Sequence, residues 1–163
     1  MKKVEVNVYE AVPILVNILN LSGFTKLFLH KSERWLPNKF KKITFGNVQP
    51  GFDQKDVELL NNAVLQTSEF IRTLKIKGVE SCSDRDIYNT YVGSRLNETR
   101  KILSLKYLCE ISLSISYRTF AQKIRNDKNR NGKPRQFTEE EICYINKGLD
   151  QISSYFDSLV IVL

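Results

Sequence analysis

FDQKDV at residues 52–57 and FTEEEI at residues 137–142 open two segments that align without a gap over 25 positions, 52–76 with 137–161. The six identical pairs are Phe52/Phe137, Asn61/Asn146, Gln66/Gln151, Ser68/Ser153, Leu74/Leu159 and Ile76/Ile161. Apolar character is shared at further positions of the alignment. Self-similarity of this kind is typical of an internal duplication.

Both openings have the residues of a helix start. Asp53 and Thr138 are good N-cap residues, and each is followed three positions later by an acidic residue, as in a capping box. The Phe before each cap can pack on the following turn as a hydrophobic staple. Apolar residues then recur at helical spacing, which predicts helices at 54–73 and 139–157. The acidic triplet at 139–141 is better explained by the helix dipole than by a metal or acid/base site.

The similarity continues upstream, where we align residues 24–40 with residues 104–120. The identical pairs in this part are Lys26/Lys106, Ser32/Ser112 and Phe40/Phe120. The second copy has five extra residues in a polar loop at 126–134, and surface loops tolerate such insertions. The duplicated unit is therefore about 75–80 residues long.

These patterns predict an all-α protein of two tandem four-helix modules: a first module at 1–76, a linker at 77–83 and a second module at 84–163. The predicted helices lie at 11–21, 25–33, 37–44 and 54–73 in the first copy, and at 84–101, 105–112, 117–126 and 139–157 in the second. Pro13 suits the first turn of its helix, Pro37 suits an N1 position, and Ser83 suits the cap of the fifth helix. Alternation at residues 4–8 and the apolar tail at 159–163 suggest a short β pairing of the termini.

Positive charge is concentrated in two blocks. The chain carries a net charge of +7. Residues 24–48 contribute +5 and residues 104–135 contribute +6, so the remaining residues sum to −4. Clustered Lys and Arg at matching places of a repeat favour two sites that face a polyanion. Ordinary solvated surfaces are the alternative interpretation.

The residues that most enzymes and metal sites need are scarce. The chain has one histidine and three cysteines at wide spacing, with no CxxC, GxGxxG, P-loop or HExxH motif. We therefore expect no enzymatic activity, no cofactor, no metal and no small-molecule substrate. His30 is interpreted as a surface residue of the second helix, and Cys109 and Cys143 are interpreted as small core residues. The longest apolar run has five residues, and the N-terminus lacks a signal-peptide core, which favours a cytoplasmic protein without a membrane segment.

A short turn separates the second and third predicted helices of the second copy. Ile115 can fill the gap between them, Ser116 can cap the third helix, and Phe120 can face the core. The stretch ISYRTF at 115–120, with the basic loop and FTEEE at 137–141 after it, resembles the helix-turn-helix of phage-repressor-like regulators (Cro/repressor or Xre type). The resemblance covers most of residues 104–157 and, more faintly, residues 24–73.

The resemblance implies a double-stranded DNA-binding transcriptional regulator of phage or bacterial type, with each third helix in the major groove. The implied base contacts are Tyr117, Arg118 and Gln122, with Asn38, Lys39 and Lys42 as their equivalents in the first copy. The implied phosphate contacts are Lys26, Lys31, Lys41, Lys123, Arg125, Lys128, Arg130, Lys133 and Arg135. Two modules in one chain would act as a covalent pseudo-dimer on half-sites about 34 Å apart.

Two other functions remain open at this point. The first is a helical adaptor whose basic surfaces dock on an acidic protein partner. The second is an RNA-binding domain, although the basic blocks lack the exposed aromatic residues that stack on bases. Self-association is also open, because the apolar stripe of the last helix could serve as a dimer seam.

Overall fold

The computed structural model describes residues 2–41, 51–78 and 84–163. These residues fold into eight helices and two short strands. In chain order the elements are β1 (Val4–Asn7), α1 (Val8–Ile18), α2 (Leu21–Leu27), α3 (Trp35–Lys41), α4 (Gln54–Thr73), α5 (Arg85–Ile102), α6 (Leu105–Ser112), α7 (Tyr117–Ile124), α8 (Glu139–Ser158) and β2 (Leu159–Val162). Most of the predicted linker, residues 79–83, lies outside the described ranges. The predicted cap residue Ser83 is one of these.

The two long helices begin as the sequence predicts. Asp53 accepts a hydrogen bond from the backbone of Asp56, whose side chain accepts one from the Asp53 backbone in return. Thr138 and Glu141 form the same reciprocal capping box at the start of α8. Both helices then run for 20 residues, so α4 and α8 correspond position by position at an offset of 85.

The chain termini pair as a small parallel sheet, which confirms the all-α class with a short terminal β pairing. Val4 lies opposite Leu159, and Asn7 lies opposite Val162. The apolar residues of β2 alternate between buried and half-buried positions. The tail that followed the last helix in the sequence is therefore part of the core.

The predicted alignment of the upstream residues is wrong by four positions. At an offset of 84, α2 matches α6 and α3 matches α7, and seven of the 24 positions from 18–41 are identical to those from 102–125. Buried positions coincide as well, such as Phe24 with Leu108. A shift of four residues is close to one helical turn. The shifted alignment therefore still matches apolar with apolar positions, and the periodicity of the sequence cannot distinguish it from the correct one.

The first helices also begin earlier than predicted. The side chain of Asn7 accepts a hydrogen bond from the Tyr9 backbone and starts α1 at Val8, so Pro13 lies inside this helix instead of in its first turn. His30 is exposed with a φ of 53° in the turn that follows α2, not on a helix. Pro37 is the third residue of α3, not its first as expected, because α3 begins at Trp35.

Contacts across the middle of the molecule join positions that are equivalent in the two copies. Leu19 and Leu103 form an antiparallel bridge. The Ser68 hydroxyl donates to the Ser153 backbone oxygen at 2.9 Å. Further along the same two helices, Arg72 forms an ion pair with its own equivalent, Asp157. Residues that touch their own counterparts lie on a two-fold axis.

Contacts away from this axis occur in reciprocal pairs. The Asn61 side-chain amide donates to the Ile161 backbone oxygen and accepts from its N–H, both at 2.8 Å. Asn146 makes the same two bonds to Ile76, at 2.8 and 2.9 Å. Because contact i to j is matched by j to i, the halves are related by a pseudo-two-fold rotation.

The buried residues of the two halves form one connected hydrophobic core. Its largest fully buried side chains include Phe24, Phe120 and Phe156. Within the described ranges, none of the helices combines the length and apolar character that crossing a bilayer requires.

Candidate nucleic-acid interface

The helix–turn–helix unit of the second half is built from α6, a four-residue turn and α7. The Ser116 side chain accepts the Thr119 N–H at 3.2 Å and thereby caps α7. Phe120, one turn into α7, is fully buried, and its ring packs edge-on against Phe137 before α8. Ile115 in the turn is half-buried against the core. These roles agree with the sequence interpretation of the turn.

The opposite face of α7 is open to solvent. Tyr117 is 40% exposed, Arg118 is exposed, and Gln122 is half-buried. Arg118 and Gln122 lie on the side of the helix away from Phe120, whereas the Tyr117 ring lies beside the Phe120 ring, with centroids 6.4 Å apart. Of the three residues predicted to contact bases, Arg118 and Gln122 therefore share an outward face of α7, and Tyr117 lies at its edge. Arg and Gln are the side chains that bind guanine and adenine edges bidentately.

The first half has a related but less regular arrangement. At the corrected offset, Arg34 is the equivalent of Arg118, and Asn38 is the equivalent of Gln122. Arg34 is exposed and lies immediately before α3, and Asn38 is half-buried within α3. Sequence reasoning missed Arg34 as a candidate base contact because of the slipped alignment. The signal that finds it is the shared pattern Ser-x-Arg at 32–34 and 116–118.

Lys39 and Lys123 are engaged inside the protein and do not belong to the open face. Lys39 Nζ lies 2.6 Å from an Asp56 carboxylate oxygen and also donates to the Gly51 backbone oxygen at 3.1 Å. Lys123 Nζ lies 2.6 Å from both carboxylate oxygens of Glu141.

The two lysine pairs are equivalent by the repeat, and both have side chains that are mostly buried. In each case the acidic partner also completes the capping box of the long helix that follows. Each pair thus fastens a third helix to a fourth. This is a correction to the predicted base contact at Lys39 and the predicted phosphate contact at Lys123.

The polar loop after α7 is an ordered hairpin. Lys128 and Pro134 form an antiparallel bridge, and the Asn129 N–H donates to the Lys133 oxygen at 2.7 Å. The Asn129 side chain accepts from two further backbone N–H groups of the hairpin. Gly132, with a φ of 74°, takes the left-handed conformation that closes the turn.

This hairpin presents most of the predicted phosphate contacts. Lys128, Arg130 and Lys133 are exposed and have no ion-pair partner among the described residues. Arg125 is exposed but pairs with Asp127 at 2.8 Å, and that carboxylate raises the pKa of the Arg125 guanidinium. Arg135 is half-buried at the base of the hairpin.

The basic residues of the first half are only partly described. Lys26 on α2 and Lys31 after it are exposed and have no ion-pair partner within the described ranges. Lys41 is the last residue of α3. Its side chain and the whole of Lys42 lie outside the described part of the chain.

A shallow depression of about 260 Å³ lies where the pseudo-two-fold axis meets the surface. Three equivalent pairs line it, Val16/Arg100, Leu19/Leu103 and Asn20/Ser104. Tyr117 lines it as well, so the first residue of α7 lies beside the axis. The N-terminus of α7 therefore lies at the surface near the pseudo-two-fold axis.

Two cysteines have different environments. Cys109 is buried, as expected, and burial raises the pKa of its thiol. Cys143 is exposed, which corrects its interpretation as a core residue.

Comparisons with protein-family models, with curated proteins and with solved structures found no match for this chain.

Proposed function

We propose that this protein binds double-stranded DNA through two helix–turn–helix units, as a transcriptional regulator of phage or bacterial type that acts in the cytoplasm. Tyr117, Arg118 and Gln122 would read base edges in the major groove. Arg34 and Asn38 would do so in the first half. Lys26, Lys31 and the hairpin would bind phosphates and set the position of the protein on the duplex.

One observation carries this proposal. At the start of the second helix of each helix–turn–helix unit, an exposed arginine occurs at the same aligned position, Arg34 and Arg118. The lysine five residues later is tied to an internal carboxylate in both halves. A merely solvated basic surface would not separate inward from outward charge at matching positions. The separation leaves a cation at the N-terminal part of each third helix, where helix–turn–helix proteins contact bases.

The phosphate contacts are supported by charge that no internal partner neutralises. Lys128, Arg130 and Lys133 extend from one hydrogen-bonded hairpin that follows α7. Their positive charge is compensated by no ion pair in the described chain, so a polyanion is the natural counter-charge. The hairpin follows the candidate reading helix directly, so it would contact backbone adjacent to the bases that the helix reads.

The test is equilibrium binding to duplex DNA as a function of salt. We expect log K for a random-sequence duplex to fall with log salt by about 0.9 per phosphate neutralised. Replacing Lys128, Arg130 and Lys133 together by Ala should lower this slope by about 2–3 and weaken binding on all sequences alike.

Lys147→Ala is the matched control, because Lys147 is an exposed lysine on α8 that lies over the ring of Tyr144 and forms no ion pair with another described residue. Its loss should leave the salt slope nearly unchanged. Absence of duplex binding at low salt would overturn the proposal. Equal binding to single-stranded RNA would favour an RNA-binding role, and capture of an acidic protein that survives nuclease treatment would favour an adaptor.

A further inference from the structure

We infer that the DNA target is an imperfect inverted repeat with a guanine at the symmetry-related position of both half-sites. This inference rests on the proposed function and adds the arrangement of its substrate. It depends on the reciprocal contacts between the halves, which the repeat in the sequence does not reveal. A tandem duplication by itself is equally compatible with a direct repeat.

The first step is the symmetry of the protein. Leu19 bridges Leu103, and Ser68 bonds Ser153, so equivalent residues meet on an axis. The backbone N–H of Asn20 donates to the Ile102 oxygen, and its equivalent at Ser104 donates to the Ile18 oxygen. Reciprocity of this kind belongs to an isologous interface, whereas a head-to-tail arrangement would use two different surfaces.

The second step is the position of the reading helices relative to this axis. The units α2–α3 and α6–α7 are equivalent, so the rotation that relates the halves also relates α3 and α7. Tyr117 lies beside the axis at the surface depression. A duplex has two-fold axes perpendicular to its length, and two units related by such an axis read the two strands in opposite directions. The half-sites are then inverted.

The third step is the difference between the two reading faces. Arg34 and Arg118 are identical and predict the same base, guanine, in both half-sites. The neighbouring pair Glu33 and Tyr117 differs in charge and size, and Asn38 differs in length from Gln122. The half-sites should therefore share the guanine and diverge at flanking positions.

The experiment selects tight binders from a pool of random-sequence duplexes and then rebuilds the winning site in three arrangements. The half-sites are placed as inverted, direct and everted repeats, with centre spacings varied around about 10 base pairs. We expect the inverted arrangement to bind at least about tenfold more tightly than either alternative, because only it allows both tethered units to engage.

Two variants locate the shared guanine. Arg118→Ala should relax the base preference at one position of one half-site, and Arg34→Ala should relax it at the symmetry-related position of the other. Both replace exposed side chains, and thermal unfolding checks that each variant is folded. Lys147→Ala again serves as the control.

The outcomes separate this inference from the function on which it rests. Tightest binding to a direct repeat, or equal binding to a single half-site, would overturn the inverted repeat and leave DNA binding intact. Loss of preference at the same position in both arginine variants would also overturn it. Absence of duplex binding in the selection would overturn both proposals together.

Discussion

The two halves of the molecule share one arrangement of helices, but at equivalent helix crossings one half has a glycine where the other has a tyrosine. Gly93 lets α7 lie against α5, where an added Cβ would be 2.9 Å from the Ile124 backbone oxygen. Its equivalent in the first half is Tyr9, whose ring packs on Phe40 with centroids 6.2 Å apart. The first half also has an open apolar groove of about 350 Å³ between α1, α2 and α3.

A second exchange runs in the other direction. Gly23 on α2 lies so close to α5 that a Cβ would be 1.6 Å from the Lys101 backbone oxygen. Its equivalent on α6 is the half-buried Tyr107. The symmetry of the fold is thus preserved while the residues at each helix crossing have diverged. The consequence is that α3 and α7 pack on different residues of the preceding long helix, α3 on the Tyr9 ring and α7 over Gly93.

The largest effect that tests this comparison is expected at Gly23. Gly23→Ala should lower the free energy of unfolding by about 3 kcal/mol or more, because the methyl group overlaps a backbone atom that moves only if two helices separate. Chemical denaturation measures this. Gly78→Ala is the control, since none of the described residues has an atom within 4 Å of a Cβ there. An equal loss in both variants would contradict the close α2–α5 crossing.

The reciprocal asparagines test whether the halves depend on each other equally. Asn61→Ala and Asn146→Ala should each cost about 2 kcal/mol, because each leaves a backbone N–H and a C=O of the other half without a partner. Denaturant unfolding of the single and double variants gives the comparison. A loss of unfolding free energy in only one of the two variants would show that the equivalent contacts do not contribute equally to stability.

The two arginines test whether both halves read DNA. Arg118→Ala should cost about 1–3 kcal/mol of discrimination at one base pair. Arg34→Ala should cost less, since Arg34 precedes α3 while Arg118 lies within α7. Competition binding with single-base variants of a selected site measures both. Uniform weakening on all sequences would instead make the residue a phosphate contact.

The residues that precede α3 and α7 should also contribute unequally to stability. Ser116→Ala should destabilise the protein by about 1 kcal/mol, because the Ser116 hydroxyl caps α7. Ser32, its equivalent, makes only a backbone bond to Trp35 among the described contacts, so Ser32→Ala should have almost no effect. Thermal unfolding of the pair distinguishes them, and equal losses would indicate that α3 is capped in the same way.

The smallest expected effect concerns pH. The Asp56 backbone N–H holds the pKa of Asp53 below its ordinary value of 3.8. A depressed pKa in the folded state stabilises the protein above the unfolded pKa, and this contribution is lost as the pH falls through the folded value. Asp53→Asn should therefore flatten part of the stability decrease at acidic pH. An unchanged pH profile would contradict a charged cap at α4.

The sequence predicted the repeat and its long helices because their signals are local. The caps at Asp53 and Thr138 and the periodicity after them lie within a few residues, and both helices have the bounds or nearly the bounds expected. The upstream alignment failed at a slip of one turn, which periodicity cannot detect. The fate of Lys39 was also out of reach, because its partner Asp56 lies on another helix.

By itself the sequence determined the helical class, the duplication and the exposed position of Arg118, since caps, amphipathic stripes and charge clusters act over one or two helical turns. Only the tertiary structure decided which residues of the two copies correspond, which lysines are neutralised internally, and that the copies face each other across a two-fold axis. Those properties depend on contacts such as Asn61 with Ile161, which join residues 100 positions apart. No local pattern encodes them.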